Sequence, residues 1–239
     1  MKKIVSLVLV LAMALICSAA FAEGGIPADQ IKVGYIYVGD ENEGYTAAHY
    51  EGAKEMAAAL GLDMNTQVIV KWNVPETEEA YDAAVDLAEA GCNIIVLSDR
   101  AAAGEVPVPS LLALGCVHHH LIRKGVRTRC DLVVETGDAM STHDFAMLVG
   151  YSASAVYPYL AHAQVRDAVR KGLVDLPESE AIANYDRAVV AGIVSIMSKM
   201  GISTIQGYHS AQIFEAVGIA DDVVERCFTG TVSRIAGLG

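Results

Sequence analysis

Three consecutive histidines, His118, His119 and His120, stand two residues after Cys116 and just ahead of Arg123, Lys124, Arg127 and Arg129. Imidazoles and thiolates bind metals, and clustered cations neutralise phosphates or carboxylates. The spacing argues against a metal. Successive helical residues are about 100° apart, so three adjacent rings cannot converge from one face. Helical metal pairs use i, i+3 or i, i+4, a pattern missing here. No CxxC occurs anywhere in the chain, so zinc and iron–sulfur geometries fail as well. The expectation is one buried, hydrogen-bonded ring with its neighbours at an edge, and no metal site. The basic run has two readings. It neutralises a phosphate or an acidic neighbouring domain, or it ends a helix where positive charge suits the macrodipole and continues as a solvated turn.

The loop "GDENEGYTAAHYEG" supplies the candidate ligand-binding residues, Asp40 and Tyr45. Asp40 follows a first parallel strand and precedes a helix, the place where open α/β sheets bind ligands. A carboxylate there accepts sugar hydroxyls, and Tyr45 can stack on a flat ring. The alternative is a solvated acidic turn with Asp40 as a local cap. Ser203 and Thr204 are expected to end a short strand ahead of a helix near Ser210, a junction that suits an anion or simple packing. No nucleophile elbow, P-loop, GxGxxG or paired-carboxylate pattern is present, so no catalytic residue and no cofactor are assigned.

The elements that must position these groups alternate. Residues 31–38 read as a strand, and Thr46 can cap a helix through Leu60 with Gly61 as its stop. A second strand is expected over 67–74. A helix over 76–90 follows, with Tyr81, Ala84, Val85 and Leu87 on its inner stripe, and then the strand 93–97. That spacing predicts a parallel sheet with right-handed crossovers, an α/β fold. Beyond a small-residue loop at 101–109, helices are expected at 110–124, 142–150, 160–173, 178–200, 211–217 and 221–227. Strands are expected at 131–135 and 202–205.

An apolar fraction of 53% over 239 residues provides ample surface to bury. With 17 basic against 29 acidic side chains the net charge is −12, which repels phosphate backbones and excludes nucleic acid as a partner. Residues 1–22 read as a secretory signal: Lys2 and Lys3, an apolar stretch from Ile4 to Ile16, and Ala20-Phe21-Ala22 before the cut. The stretch is too short for a comfortable membrane span. Ile16 stands before Cys17, where a lipoprotein signal wants a small residue, so simple cleavage after Ala22 is favoured. That predicts export to periplasm or cell surface. Cys92, Cys116, Cys130 and Cys227 then remain; their apolar surroundings predict reduced core thiols rather than two disulfides.

Two stretches, "IKVGYIYVGDENEGYTAAHYEGAKEMAAALGL" and "ETEEAYDAAVDLAEAGCNII", resemble the basic membrane protein family of substrate-binding lipoproteins serving ABC importers. The resemblance covers residues 1–96. It implies part of one lobe of a periplasmic binding protein over 23–95, with Asp40 and Tyr45 in the first ligand loop. An ABC permease and a nucleoside-like ligand would be the partners.

From Asn93 onward the chain resembles the central domain of the glutamate synthase large subunit. "NIIVLSDR", "VPSLLALGCVHHHLIRKGVRTRCDLVVETGDA", "HDFAMLVGYSASAVYPYL" and "MSKMGISTIQGYHSAQIFEAVGI" through "CFTGTVSRIAGLG" carry that likeness. It implies a barrel-like central-domain portion over 96–239, glutamate biosynthesis, a cytoplasmic origin and other glutamate synthase domains as partners. The family's N-terminal cysteine nucleophile and its flavin-binding barrel have no counterpart in these residues. Its closely spaced iron–sulfur cysteines have none either, since Cys116, Cys130 and Cys227 lie 14 and 97 residues apart. The two resemblances together describe a fusion of a binding-protein lobe to a glutamate synthase segment, without autonomous catalysis.

Overall fold

The computed structural model describes residues 27–37, 39–42, 44–75, 78–100 and 107–238. The signal-like residues 1–22 and the loop 101–106 lie outside that set. The chain divides into two units, residues 1–31 and 32–239. Of the first, the described part is a single 3-10 turn, Ala28–Gln30.

In the second unit β1 (Val33–Ile36), β2 (Val68–Lys71), β3 (Ile94–Ser98), β4 (Asp131–Glu135) and β5 (Ala155–Tyr157) form one sheet in the order β2-β1-β3-β4-β5. Every pairing is parallel. Helices α1 (Gly44–Leu60), α2 (Glu78–Glu89), α3 (Ser110–Arg123) and α4 (Thr142–Gly150) are the crossovers. The expected parallel β-α repeat is therefore present. Its barrel-like aspect takes the form of an open run of strands, with β2 and β5 as edges among the described residues.

The pleat decides what each face buries, because alternate side chains point to opposite sides. Ile95, Leu132 and Val134 point into one core with Leu87 and Ala84 of α2, Leu114, Val117 and Leu121 of α3, and Phe145 and Leu148 of α4. Three helices thus share one face. The other face carries Tyr35, Val96 and Glu135, which meet α1 through His49 and Gly52. Chain order explains the asymmetry. The β1→β2 step runs opposite in direction to the three later steps, so right-handed crossovers put α1 alone on its side.

Local chemistry fixes several ends. Gly61 follows α1 at φ +68, the left-handed stop that glycine adopts without a Cβ penalty. Ser141 and Asp144 form a capping box at the start of α4. Thr46 is not the cap of α1: the helix begins at Gly44, and Thr46 is buried within its first turn.

Two further helices, α5 (Tyr159–Arg170) and α6 (Glu178–Lys199), pair beside the sheet, and Val189 of α6 joins the core. No described helix is long and apolar enough to cross a membrane.

The C-terminal segment departs from expectation. Residues 202–204 are not a strand. Thr204 caps a four-residue helix, α7 (Ile205–Tyr208), by accepting from the Gly207 N–H at 3.2 Å. Residues 211–214 are not helical. Glu215–Ile219 is instead a strand, β6, and its parallel partner β7 (Val232–Leu238) arrives after α8 (Asp221–Cys227). Local patterning cannot register a pairing whose two halves are separated by a helix.

This β-α-β unit rests on α3 through Cys116, Ala216, Val224, Cys227 and Phe228. A Cβ on Gly115 would stand 2.4 Å from the Cys227 carbonyl oxygen, so only glycine permits this approach. The approach also corrects the thiol expectation, since Cys116 and Cys227 are joined as a disulfide. Cys92 and Cys130 are free and buried, as expected. Burial pushes both thiols up, Cys92 to about 11, which keeps them protonated and unreactive near neutrality.

Candidate functional site

The strand order reverses between β1 and β3, and the crevice outside their carboxyl ends is where such sheets bind ligands. An open cleft of about 590 Å3 lies there. Tyr35 and Tyr37 line it from β1, Ser98 and Arg100 from the end of β3, and Glu135 from the end of β4. His49 and Gly52 close it from α1, and Tyr159 from the start of α5. Tyr35 and Tyr37 share a side because they are two apart on a strand, and their rings stack at 5.6 Å.

Glu135 is held from three directions. Ser98 Oγ donates to its Oε2 at 2.7 Å. Arg100 Nε lies 3.1 Å from Oε1, an ion pair by distance whose N–H direction falls short of a hydrogen bond. His49 Nδ1 stands 4.0 Å from Oε2. The Arg100 guanidinium also covers the Tyr159 ring at 4.3 Å, a cation–π contact. One strand-end further, Asp99 accepts from the Thr136 hydroxyl and from the Gly137 N–H at 2.9 Å. Asp138 in turn accepts from the Ser110 N–H at 3.0 Å, tying α3 to the same rim.

The protonation states follow. Burial lowers the His49 pKa against the opposing pull of Glu135, which leaves the imidazole neutral at pH 7. Burial raises Tyr35 and Tyr37, and burial with Asp99 raises Tyr159 to about 12, so the phenols keep their protons. A neutral imidazole beside a carboxylate is part of a general-base pair. At 4.0 Å the two are not hydrogen-bonded, and the Ser98 hydroxyl is committed as a donor. The arrangement suits holding and orienting a polar ligand.

Asp40 lies in the loop after β1, and its Oδ1 accepts from the Asn42 N–H at 2.8 Å, the local turn-capping role. It is not among the residues lining the cleft. Tyr45 belongs to the first turn of α1, and its side chain lies outside the described set. The groups that do converge were overlooked in the sequence. Their signal is the Tyr-x-Tyr alternation in β1 and the charged residues directly after apolar strands, in "VLSDR" and "VVETGD".

One ring of the histidine run is buried and hydrogen-bonded, as expected. His118 is buried, and its Nδ1 accepts from Arg127 Nε at 2.9 Å. His119 meets it edge-on at 5.0 Å, and His120 Nε2 lies 3.3 Å from Asp82. Among the described residues no three His, Cys, Asp or Glu could hold a metal ion. The basic run does not stay together in solvent: Arg127 is drawn inward to two backbone carbonyls as well as His118.

Burial first, then Arg127, lowers the His118 pKa to about 3. The unfolded chain therefore binds this proton near 6.5 while the folded chain does not. Stability is full above pH 6.5 and falls as pH drops from there towards 3, by at most about 1.4 kcal/mol per pH unit from this group. His118→Gln, which keeps an acceptor but cannot titrate, is expected to flatten the acid limb of a denaturation series between pH 6.5 and 4. An unchanged slope would refute the assignment.

Comparison with known proteins places these elements in context. A family model described as "Glutamate synthase central domain" matches residues 48–220. The match begins within α1 and so takes in residues 48–95 of the stretch 23–95 that was expected to be a binding-protein lobe. The glutamate synthase [NADPH] large chain of Bacillus subtilis is 46% identical over 149 residues, 62% of this chain and 10% of that protein. Ferredoxin-dependent glutamate synthase 2 of Synechocystis is 45% identical over 172 residues, 65% of this chain and 11% of that one. The chain thus spans about a tenth of the length of these curated relatives. The flavin-binding domain of baker's yeast flavocytochrome b2 superposes with a TM-score of 0.43 at 16% identity, over 73% of this chain and 42% of that one.

Proposed function

The chain belongs to the glutamate synthase central domain family, and from that premise we propose that it is a scaffold segment of a glutamate-forming enzyme. In this role it supplies no catalytic residue of its own. It carries the surfaces on which separately folded glutamine-hydrolysing and flavin-bearing parts assemble. The observation that supports this most is the family match across residues 48–220, which spans β2 to β5, most of α1, the other three crossovers, α5 and α6. The core-facing Leu132, Val134, Leu114 and Leu121 all lie within that stretch.

Co-expression with the amidotransferase and flavin domains of a glutamate synthase tests the proposal. Co-elution of the three on gel filtration is the expected result. Elution of this chain by itself, folded and monomeric, would count against it.

The second reading is an exported solute-binding module with a nucleoside-like ligand and an ABC permease as partners. It is supported by the resemblance of residues 1–96. Calorimetry with nucleosides on the chain and on Asp40→Ala distinguishes the two. Micromolar binding lost in the variant would favour the solute-binding module.

A further inference from the structure

We propose that the cleft between β1, β3 and α1 binds an uncharged cyclic polyol, a monosaccharide or a cyclitol. The inference rests on the geometry of the cleft and stands apart from the scaffold role.

Tyr37 is the first reason. It is 8% exposed, lines the cleft, and its hydroxyl oxygen has no hydrogen-bond partner among the described residues. A buried hydroxyl without a partner costs about 1–3 kcal/mol, so such groups are satisfied in native proteins. A ligand hydroxyl reaching into the cleft would satisfy it.

Charge is the second reason. The guanidinium among the lining residues is ion-paired with Glu135 and stacked on Tyr159, so its charge is already balanced, while its Nε–H, without a hydrogen-bond partner among the described residues, is a second donor for a ligand hydroxyl. His49 is neutral, Glu135 presents a carboxylate to the cleft, and the Asp99 carboxylate lies beyond it against Tyr159. A dicarboxylate or phosphate entering here finds no unpaired cation and two like charges. A ligand of hydroxyls meets acceptors at Glu135 and a donor at Tyr37 without that repulsion.

Shape is the third reason. The stacked Tyr35 and Tyr37 rings and Val96 provide apolar surface for the C–H side of a saturated ring, and Gly52 leaves α1 without a side chain at the opposite wall. A volume of about 590 Å3 falls in the range of small-molecule sites.

The chain contains one tryptophan, Trp72, whose ring lies 5.3 Å from that of Tyr37. Its emission therefore reports on the surroundings of Tyr37 and Tyr50, at the edge of the cleft. The full chain is titrated with myo-inositol, D-glucose and D-ribose, and separately with 2-oxoglutarate and inorganic phosphate. A saturable emission change with at least one polyol, and none with the two anions, is the expected result. Tyr37→Phe, which removes only the hydroxyl, should weaken that binding about tenfold, the worth of one hydrogen bond, while leaving the thermal midpoint within a few degrees. Glu135→Gln should weaken it too. No saturation by any polyol up to about 10 mM would overturn the proposal. So would tighter binding of 2-oxoglutarate, or an affinity unchanged in Tyr37→Phe.

Discussion

Replacing Arg127 by alanine is expected to cost about 3–5 kcal/mol of folding stability, read from the urea midpoint at unchanged m-value. One guanidinium donates to His118 Nδ1 at 2.9 Å, to the Cys130 carbonyl at 2.6 Å and to the Ser152 carbonyl at 3.0 Å. These acceptors belong to α3, to the start of β4 and to the turn between α4 and β5. Truncation leaves all three acceptors short of a donor in a partly buried site, and each such loss costs about 1–3 kcal/mol. Arg127→Lys should recover only part of this, because one ammonium cannot reproduce a planar fork spread over three partners. The two variants together therefore separate lost geometry from lost charge. A cost below about 1 kcal/mol for Arg127→Ala would mean that the side chain is solvated, as an ordinary surface arginine is.

Reduction of the Cys116–Cys227 disulfide should have a comparable effect. The bridge spans 111 residues, for which loop-closure entropy gives about 4.8 kcal/mol in the chain-entropy model and measured cases give about 2–4. The loss should fall on the C-terminal β-α-β unit, whose other attachments to α3 are a small cluster around Ala216, Val224 and Phe228 and an exposed hydrogen bond from Arg123 to the Arg226 carbonyl at 3.1 Å. Thiol labelling in denaturant, before and after a dithiol reductant, checks the pairing. Cys92 and Cys130 should label without reductant, and Cys116 and Cys227 only with it. Hydrogen exchange would then show faster opening of β6, α8 and β7 in the reduced chain. Labelling of Cys116 without reductant would restore the expectation of core thiols drawn from the sequence.

Much of the fold was legible where periodicity and end signals agree. The strand Asp131–Glu135 and the helix Thr142–Gly150 were readable residue for residue. Each has a clear period, and the helix begins with a Ser-x-x-Asp cap. The parallel order followed from strand–helix alternation, since consecutive parallel strands need a crossover. The C-terminal segment was not legible because β6 depends on β7 for its hydrogen bonds, and neither alternates clearly by itself. The three-residue edge strand β5 is too short for any period.

The site divides in the same way. Asp40 was visible because a carboxylate after a strand is a local pattern, yet its observed bond is equally local. Arg100, Ser98 and His49 meet Glu135 from 35, 37 and 86 residues away in the chain. Only the strand order β1-β3-β4 brings them to one rim. Disulfide pairing has the same character, since Cys116 and Cys227 meet because Gly115 lets α8 approach.

The most direct test of the scaffold proposal is a turnover assay on the purified full chain with glutamine, 2-oxoglutarate and NADPH, followed by glutamate release. The account predicts no glutamate above the enzyme-free rate from the chain alone. Sustained, enzyme-proportional glutamate formation by this polypeptide without added domains would contradict it.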